Sequence, residues 1–134
     1  MNLVIDANIL FSLVISKSKV EDVFVHQDII LYSPEFIKVE IEKHIKIILN
    51  KTHRSEIELS EILDILNRRI RLVPYADFAE FYEEAQILSP DKNDAAYLAL
   101  ALKLKCAIWS NDKKLKEQNV IKVYSSEELI AIFL

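Results

Sequence analysis

Glycine is absent from the 134 residues of this chain, and its absence excludes two common ways of holding a nucleotide. The phosphate-binding loop and the G-x-G-x-x-G turn both need glycines, because the backbone must approach the phosphates closely. No glycine- or serine-rich linker divides the chain either. We therefore expect one domain over residues 1–134, which at 51% hydrophobic residues can bury a sizeable core.

Cysteine and long apolar runs are also scarce. The single cysteine, Cys106, excludes an internal disulfide and a cysteine-cluster zinc site, and the three histidines are too scattered for a zinc motif. No apolar run approaches the about 18 residues that a membrane-spanning helix needs, and the segment after Met1 lacks the features of a secretory signal. We therefore expect a cytoplasmic protein with no membrane contact.

Short apolar runs alternate with helical periodicity along the chain. Strands are predicted at "NLVID", "IILYS", "IRLVP", "CAIWS" and "VIKVY". The helices between them include one that starts at Pro34, one over about 77–88, one that starts at Pro90 with Ser89 as its N-cap, and a short one from Asp112. Alternating strands and helices predict an α/β fold with a central parallel sheet that is covered on both faces.

Acidic residues occupy unusual places in this pattern. Asp6 follows the strand "NLVI" and Asp112 follows "CAIWSN", and ligands gather at the carboxyl ends of parallel strands. Glu40 borders an apolar helix stripe, and Asp94 opens the small-residue run "DAAYLALAL". Each has an ordinary explanation: a turn or cap residue for the strand-end acids, a solvated side chain for Glu40, and a helix-dipole acid for Asp94 and for nearby Asp91.

The four acids together favour a metal site over these separate explanations. Carboxylates that converge at one end of a sheet repel one another unless a cation compensates them. The formal net charge of −4 argues only mildly against a nucleic-acid partner, because acids around a metal would contribute to it. Oxygen ligands favour Mg²⁺ or Mn²⁺, and such ions activate water for phosphodiester cleavage.

The order of "VIDANIL", "SPEFIKVEIEKH", "DKNDAAYLALAL" and "IWSNDKKL" resembles the PIN domain family of metal-dependent ribonucleases, nearly end to end. The resemblance implies a three-layer α/β/α sandwich and an acidic quartet that binds Mg²⁺ or Mn²⁺. By motif position the quartet and its neighbours are Asp6, Glu40, Asp94 and Asp112 as metal ligands, Asp91 as an additional acid found in some members, and Asn8 and Ser110 as residues that orient the ligands.

The resemblance also implies a substrate and a mechanism. The substrate would be single-stranded RNA, cleaved by in-line attack of metal-activated water to leave 5′-phosphate and 3′-hydroxyl ends. Small prokaryotic members are commonly toxins of VapBC-type toxin–antitoxin pairs, which implies an antitoxin partner where an adjacent gene encodes one.

Basic residues should rim an acidic pocket that binds a polyanion. The candidates for RNA contacts are Lys43, Lys46, Lys113, Lys114 and Lys116, although any one of them has the ordinary explanation of a solvated charge. Trp109 and Tyr97 could stack on bases, but their apolar surroundings favour core packing. Apolar side chains on more than one face of "FSLVISKSKVEDVFV" and "SSEELIAIFL" predict a homodimer.

Two alternatives from other classes remain open on the sequence. A phosphatase of the haloacid-dehalogenase type also places an acid after its first strand, but its motif needs a second aspartate where this chain has Asn8. A catalytically silent PIN-like interaction module would need no metal. Four retained carboxylates weigh against the silent module, since buried acids without a cation are costly to fold around.

Overall fold

The computed structural model describes residues 1–15, 18–52, 55–89, 91 and 93–134, and it leaves out the side chains at positions 45, 46, 48, 49 and 52. The predicted contact residue Lys46 and the predicted helix start Pro90 therefore lie outside what is described. Within the described part of the chain, no helix is both long and apolar enough to cross a membrane.

Five parallel strands form the centre of the molecule in the order β3-β2-β1-β4-β5. The strands are β1 (Asn2–Ile5), β2 (Ile30–Pro34), β3 (Ile70–Val73), β4 (Ala107–Trp109) and β5 (Val123–Tyr124). β1 lies in the middle, and its apolar residues after Asn2 are buried. The predicted α/β sandwich with a central parallel sheet is confirmed.

Helices connect the strands and pack in groups beside the sheet. They are α1 (Ala7–Ile15), α2 (Lys19–Phe24), α3 (Ile37–Thr52), α4 (Glu56–Arg69), α5 (Tyr75–Phe78), α6 (Tyr82–Leu88), α7 (Ala95–Leu104) and α8 (Ser126–Phe133). α7 packs against β1, β2 and β4, and α6 packs against α7, while α1 packs against α3 and α4. The small residues of α7 are almost all buried, which explains its alanine-rich sequence.

Several predicted helix starts are wrong. Pro34 ends strand β2 opposite Val73, and α3 begins only at Ile37. Ser89 does not cap α7, which begins at Ala95: its hydroxyl donates to the Asp91 carbonyl at 2.8 Å and accepts from the Asp91 N–H at 3.1 Å. The helix predicted over 77–88 is split by a 3-10 turn at Ala79–Phe81. The helix predicted from Asp112 is a 3-10 turn at Leu115–Glu117.

Candidate active site

The order in which the chain adds strands to the sheet reverses between β1 and β4. The candidate site lies at this switch point. From β1 the chain builds the sheet outward through β2 and β3, whereas β4 and β5 add on the other side. Ile5 pairs with Trp109, and the Asp6 N–H donates to the Trp109 carbonyl at 3.3 Å. Asp6 and Ser110 therefore leave adjacent strands side by side, at the crevice where open α/β sheets bind their ligands.

Asp6 both caps a helix and lines the crevice. Its Oδ1 accepts from the Ile9 N–H at 3.0 Å and so caps α1, while its Oδ2 accepts from the Ser110 hydroxyl. The residue is only 6% exposed. Burial raises the pKa of Asp6, and the charge of Asp112 adds to the rise, although the bonds from Ser110 and Ile9 oppose it. A buried carboxylate under these influences is stabilised by a nearby cation.

Ser110 ties Asp6 to the second strand-end acid. Its side chain is fully buried, and its oxygen accepts from the Asp112 N–H at 3.1 Å while its hydroxyl donates to Asp6. Asp112 also accepts, through Oδ1, from the Lys114 N–H at 2.9 Å. Ser110 thus links the carboxylate of Asp6 to the backbone of Asp112.

Asp94 lies at the N-cap position of α7 but does not cap the helix. Its Oδ2 is buried and has no hydrogen-bond partner in the described structure. Burial raises the pKa of Asp94 to about 6, with Asp112, Asp91 and Asp6 contributing through their negative charge. An unpartnered buried carboxylate oxygen is costly, because it has lost its water without gaining a donor.

Glu40 enters the crevice from the first turn of α3. Its two carboxylate oxygens lie 3.8 Å from Lys43 Nζ and 3.9 Å from His44 Nε2. The side chain is 39% exposed, so these contacts are weak in energy. The negative charge of Glu40 helps to raise the pKa of Tyr97. Glu40 is therefore near the other acids but directed partly toward its own helix.

One pocket of about 570 Å³ brings these groups together. It is lined by Asp6, Ala7, Asn8, Phe11, Phe36, Glu40, His44, Tyr75, Tyr82, Asn93, Asp94, Ala96, Tyr97 and Asp112. All four acids of the predicted quartet and Asn8 are among them.

The four acids line one pocket, but their side chains do not converge on a single position. Among the residues that the structure describes, no three acidic, histidine or cysteine side chains form a set that could hold a metal ion as they stand. The charge coupling of Asp94 to Asp112 and Asp6 nevertheless shows that these three are neighbours.

A divalent cation fits the chemistry of this donor set. The unpartnered Oδ2 of Asp94 needs positive charge or a donor, and the residues around it supply further carboxylate oxygens. Oxygen donors of this kind suit Mg²⁺ and Mn²⁺. Cys106 does not line this pocket, and burial raises the pKa of its thiol to about 11.

Other predicted residues lie outside the pocket. The Oδ1 of Asp91 accepts from the Asn93 N–H at 2.9 Å, and the charge of Asp91 contributes to the raised pKa of Asp94. The lysines Lys43, Lys113, Lys114 and Lys116 do not line the pocket. Lys116 is paired with Glu128 at the start of α8, where it lowers the pKa of Glu128 to about 2.

Sequence reasoning missed most of the aromatic lining. Trp109 is fully buried, which confirms core packing, and it donates to the Ser126 hydroxyl at 3.0 Å. Tyr97 is also buried, yet it lines the pocket, and its hydroxyl accepts from the Ala7 N–H at 3.3 Å. His44 could have been found from its place one helical turn after Glu40. Tyr75 and Tyr82 gave no such signal, because the chain brings them to the pocket only through tertiary packing.

Similarity to known proteins agrees with this fold. A model of the PIN domain family matches residues 4–127. Among solved structures, the chain is similar to a chain in the crystal structure of VapBC2 from Rickettsia felis bound to a DNA fragment from their promoter, with a TM-score of 0.69 and 14% identity over 93% of this chain and 98% of that one. At this identity the likeness concerns the fold. No curated protein matches the sequence.

Proposed function

This chain belongs to the PIN domain family, and from that membership we propose that it is a divalent-metal-dependent endoribonuclease acting on single-stranded RNA. PIN domain proteins are generally nucleases. The observation that carries the proposal is the buried, unpartnered Oδ2 of Asp94, which lies beside Asp6 and Asp112 at the carboxyl edge of the sheet.

Asp6, Glu40, Asp94 and Asp112 are the residues that would hold Mg²⁺ or Mn²⁺. When bound, the ion supplies charge that stabilises the phosphate in the transition state, and it lowers the pKa of water. Asp94 has to give up its proton at the carboxyl group before it can act as a ligand. At pH 7 it does so readily, because its pKa of about 6 lies below that value.

Three further residues would help to position the acids of this site. Ser110 fixes the Asp6 carboxylate through its hydroxyl and the Asp112 backbone through its oxygen. Burial raises the pKa of Tyr97 far above neutrality, so its hydroxyl stays protonated and can donate a hydrogen bond. Asn8 offers an exposed amide at the pocket wall. Water acts as the nucleophile, so no side chain is needed as a covalent one.

Cleavage of a labelled single-stranded RNA with Mn²⁺ or Mg²⁺ tests the proposal. The native chain should cleave it, and a chelator should stop the reaction. Asp94→Asn should lower the rate by at least about 100-fold, since it removes a charged ligand at nearly constant volume. Asp64→Asn is the matched control, because Asp64 is an exposed aspartate on α4 that does not line the pocket, and it should leave the rate unchanged. Equal rates for both variants would contradict the proposal.

The same assay separates the alternatives. A phosphatase of the haloacid-dehalogenase type would hydrolyse small phosphate monoesters and leave RNA intact, with Asp6 as a covalent nucleophile. A silent interaction module would do neither and would not bind Mn²⁺. The PIN family match supports the nuclease over both, as does the buried Oδ2 of Asp94, which has no hydrogen-bond partner among the described residues.

The structural likeness to a VapBC2 chain supports a narrower proposal about biological role. We propose that the chain acts as the toxin of a toxin–antitoxin pair, with an antitoxin encoded next to it. Expression of the native chain should then arrest bacterial growth, and co-expression of the adjacent gene should restore it. The Asp94→Asn variant should not arrest growth. Arrest by both forms alike would count against nuclease toxicity.

A further inference from the structure

One wall of the acidic pocket is aromatic, and two of its rings face solvent. Phe36 is 41% exposed and Tyr75 is 57% exposed. Each ring is held by an edge-to-face neighbour: the ring centroids of Phe36 and Tyr97 are 5.8 Å apart, and those of Tyr75 and Phe78 are 5.6 Å apart. Because Tyr97 and Phe78 are buried, they hold the two exposed rings in place and leave much of their surface open.

A second cavity adjoins the first at these same two rings. It has a volume of about 420 Å³ and is lined by Pro34, Glu35, Phe36, Lys38, Val39, Tyr75 and Phe78. Phe36 and Tyr75 are the residues common to both cavities. The acidic groups thus lie on one side of the two rings, and a mainly apolar recess with one lysine lies on the other.

This juxtaposition matches the chemistry of a nucleotide. A nucleotide carries an anionic phosphate and a flat apolar base on the same sugar, so a phosphate at the acids places its base beside the pocket wall. Exposed aromatic rings bind unpaired bases by stacking, at about 1–3 kcal/mol per base. Lys38, one of the two charged residues that line the recess, can contact the next phosphate of the same strand.

We infer that Phe36 and Tyr75 form a stacking site for the base that flanks the scissile phosphate, with the adjoining recess as its subsite. This inference rests on the proposed nuclease function and adds the recognition element that function needs. A base in a duplex is already stacked between its neighbours and cannot enter the recess. The site therefore selects unpaired nucleotides.

Binding of a fluorescein-labelled oligoadenylate to the native protein with Ca²⁺, which takes oxygen ligands in a different geometry from Mg²⁺, tests the inference without cleavage. Phe36→Ala and Tyr75→Ala should each weaken binding by about 5- to 150-fold, the range that one stacked base supplies. Phe36→Tyr and Tyr75→Phe keep a ring and should restore most of the affinity. Ile87→Ala, which truncates an 86% exposed side chain outside both cavities, is the control and should have no effect. Melting temperatures check that each variant folds.

An abasic nucleotide in the oligomer makes the test specific to the base. Removing the flanking base should weaken binding to the parent, and it should cost much less in Phe36→Ala, because the stacking partner is already lost. Equal losses in both proteins would overturn the inference. With Mg²⁺ or Mn²⁺ in place of Ca²⁺, Phe36→Ala should raise KM for the oligomer more than it lowers kcat. If the intact protein binds the oligomer through these rings but never cleaves it, the nuclease proposal fails while the stacking site stands.

Discussion

At the scale of single residues, Asp6 combines a helix cap with a position in the lining of the acidic pocket. One oxygen caps α1 and the other is held by Ser110. The position of Asp6 at the end of a strand predicted either a cap or a site residue. In the structure Asp6 caps α1 and also lines the pocket. The site use depends on neighbours from distant parts of the chain, which a local pattern cannot position.

Substitutions of Asp6 can separate its two roles. Asp6→Asn keeps an oxygen for the Ile9 N–H but removes the charge, so cleavage should be lost while the melting temperature stays within about 4 °C of the native value or rises. Asp6→Ala loses the cap as well, and it should cost about 1 kcal/mol in the free energy of unfolding relative to Asp6→Asn. Thermal melting and the RNA assay measure these effects. Severe destabilisation of Asp6→Asn with cleavage retained would make Asp6 a structural cap only.

The raised pKa of Asp94 predicts how pH affects the metal-free protein. Asp94 has a folded pKa of about 6 against 3.8 for the ordinary group, so the folded state holds the proton more tightly. Its contribution to stability is therefore fully present below about pH 4 and is lost as the pH rises through about 6. The shift corresponds to at most ~3 kcal/mol, and solvent screening of a partly exposed side chain reduces this to about 1 kcal/mol.

Urea unfolding in a chelator checks this sign. Asp94→Asn should match the native protein near pH 4 and exceed its stability by about 1 kcal/mol at pH 7. Asp64→Asn should show no such pH-dependent difference. A native protein that gains stability relative to Asp94→Asn between pH 4 and 7 would show that Asp94 is compensated in some other way.

At the scale of elements, the strands were predictable from sequence and the helix starts were less so. The five predicted strands are all present, because buried parallel strands appear as short apolar runs. α7 begins at Ala95, several residues after the predicted start, and the side chains of Ser89 and Asp91 bond to nearby backbone groups before it. Asp94 lies at the head of α7, and its Oδ2 has no hydrogen-bond partner among the described residues.

The end of α7 offers an element-scale prediction. Lys105 follows the helix with a φ of 53°, a left-handed conformation that usually belongs to glycine, and this chain contains none. Lys105→Gly should raise the free energy of unfolding by about 1 kcal/mol, because it removes the clash of Cβ with the backbone. Lys105→Ala keeps Cβ and serves as the control, with no comparable gain. Chemical denaturation measures both, and a loss of stability in Lys105→Gly would contradict the prediction.

At the scale of the whole molecule, many of the apolar residues that predicted a homodimer are buried in the core instead. Ile9, Leu10, Leu13 and Val14 of α1 are buried, so they need no partner subunit. Among the exposed apolar residues, Val25, Ile132 and Leu134 lie near the packed pair α2 and α8 and are each more than half exposed. The predicted homodimer would use this surface.

Light scattering over a dilution series tests the homodimer. The mass should reach twice the 15.6 kDa of one chain at high concentration, and Ile132→Glu should shift it toward one chain, because it places a charge in an apolar contact. Ile57→Glu, on α4 and 73% exposed, is the control and should leave the mass unchanged. A native mass that stays at one chain throughout would exclude the dimer.

The central claim is that the acids at the carboxyl edge of the sheet form a divalent metal site, and calorimetric titration with Mn²⁺ at pH 6 tests it most directly. The native protein should bind Mn²⁺ and release protons, since Asp94 is about half protonated at a pH near its pKa and must ionise to act as a ligand. Heats measured in two buffers of different ionisation enthalpy report that release. Asp94→Asn should lose most of the affinity and the proton release, whereas Asp64→Asn should keep both. No heat from the native protein, or equal binding by Asp94→Asn, would contradict the account.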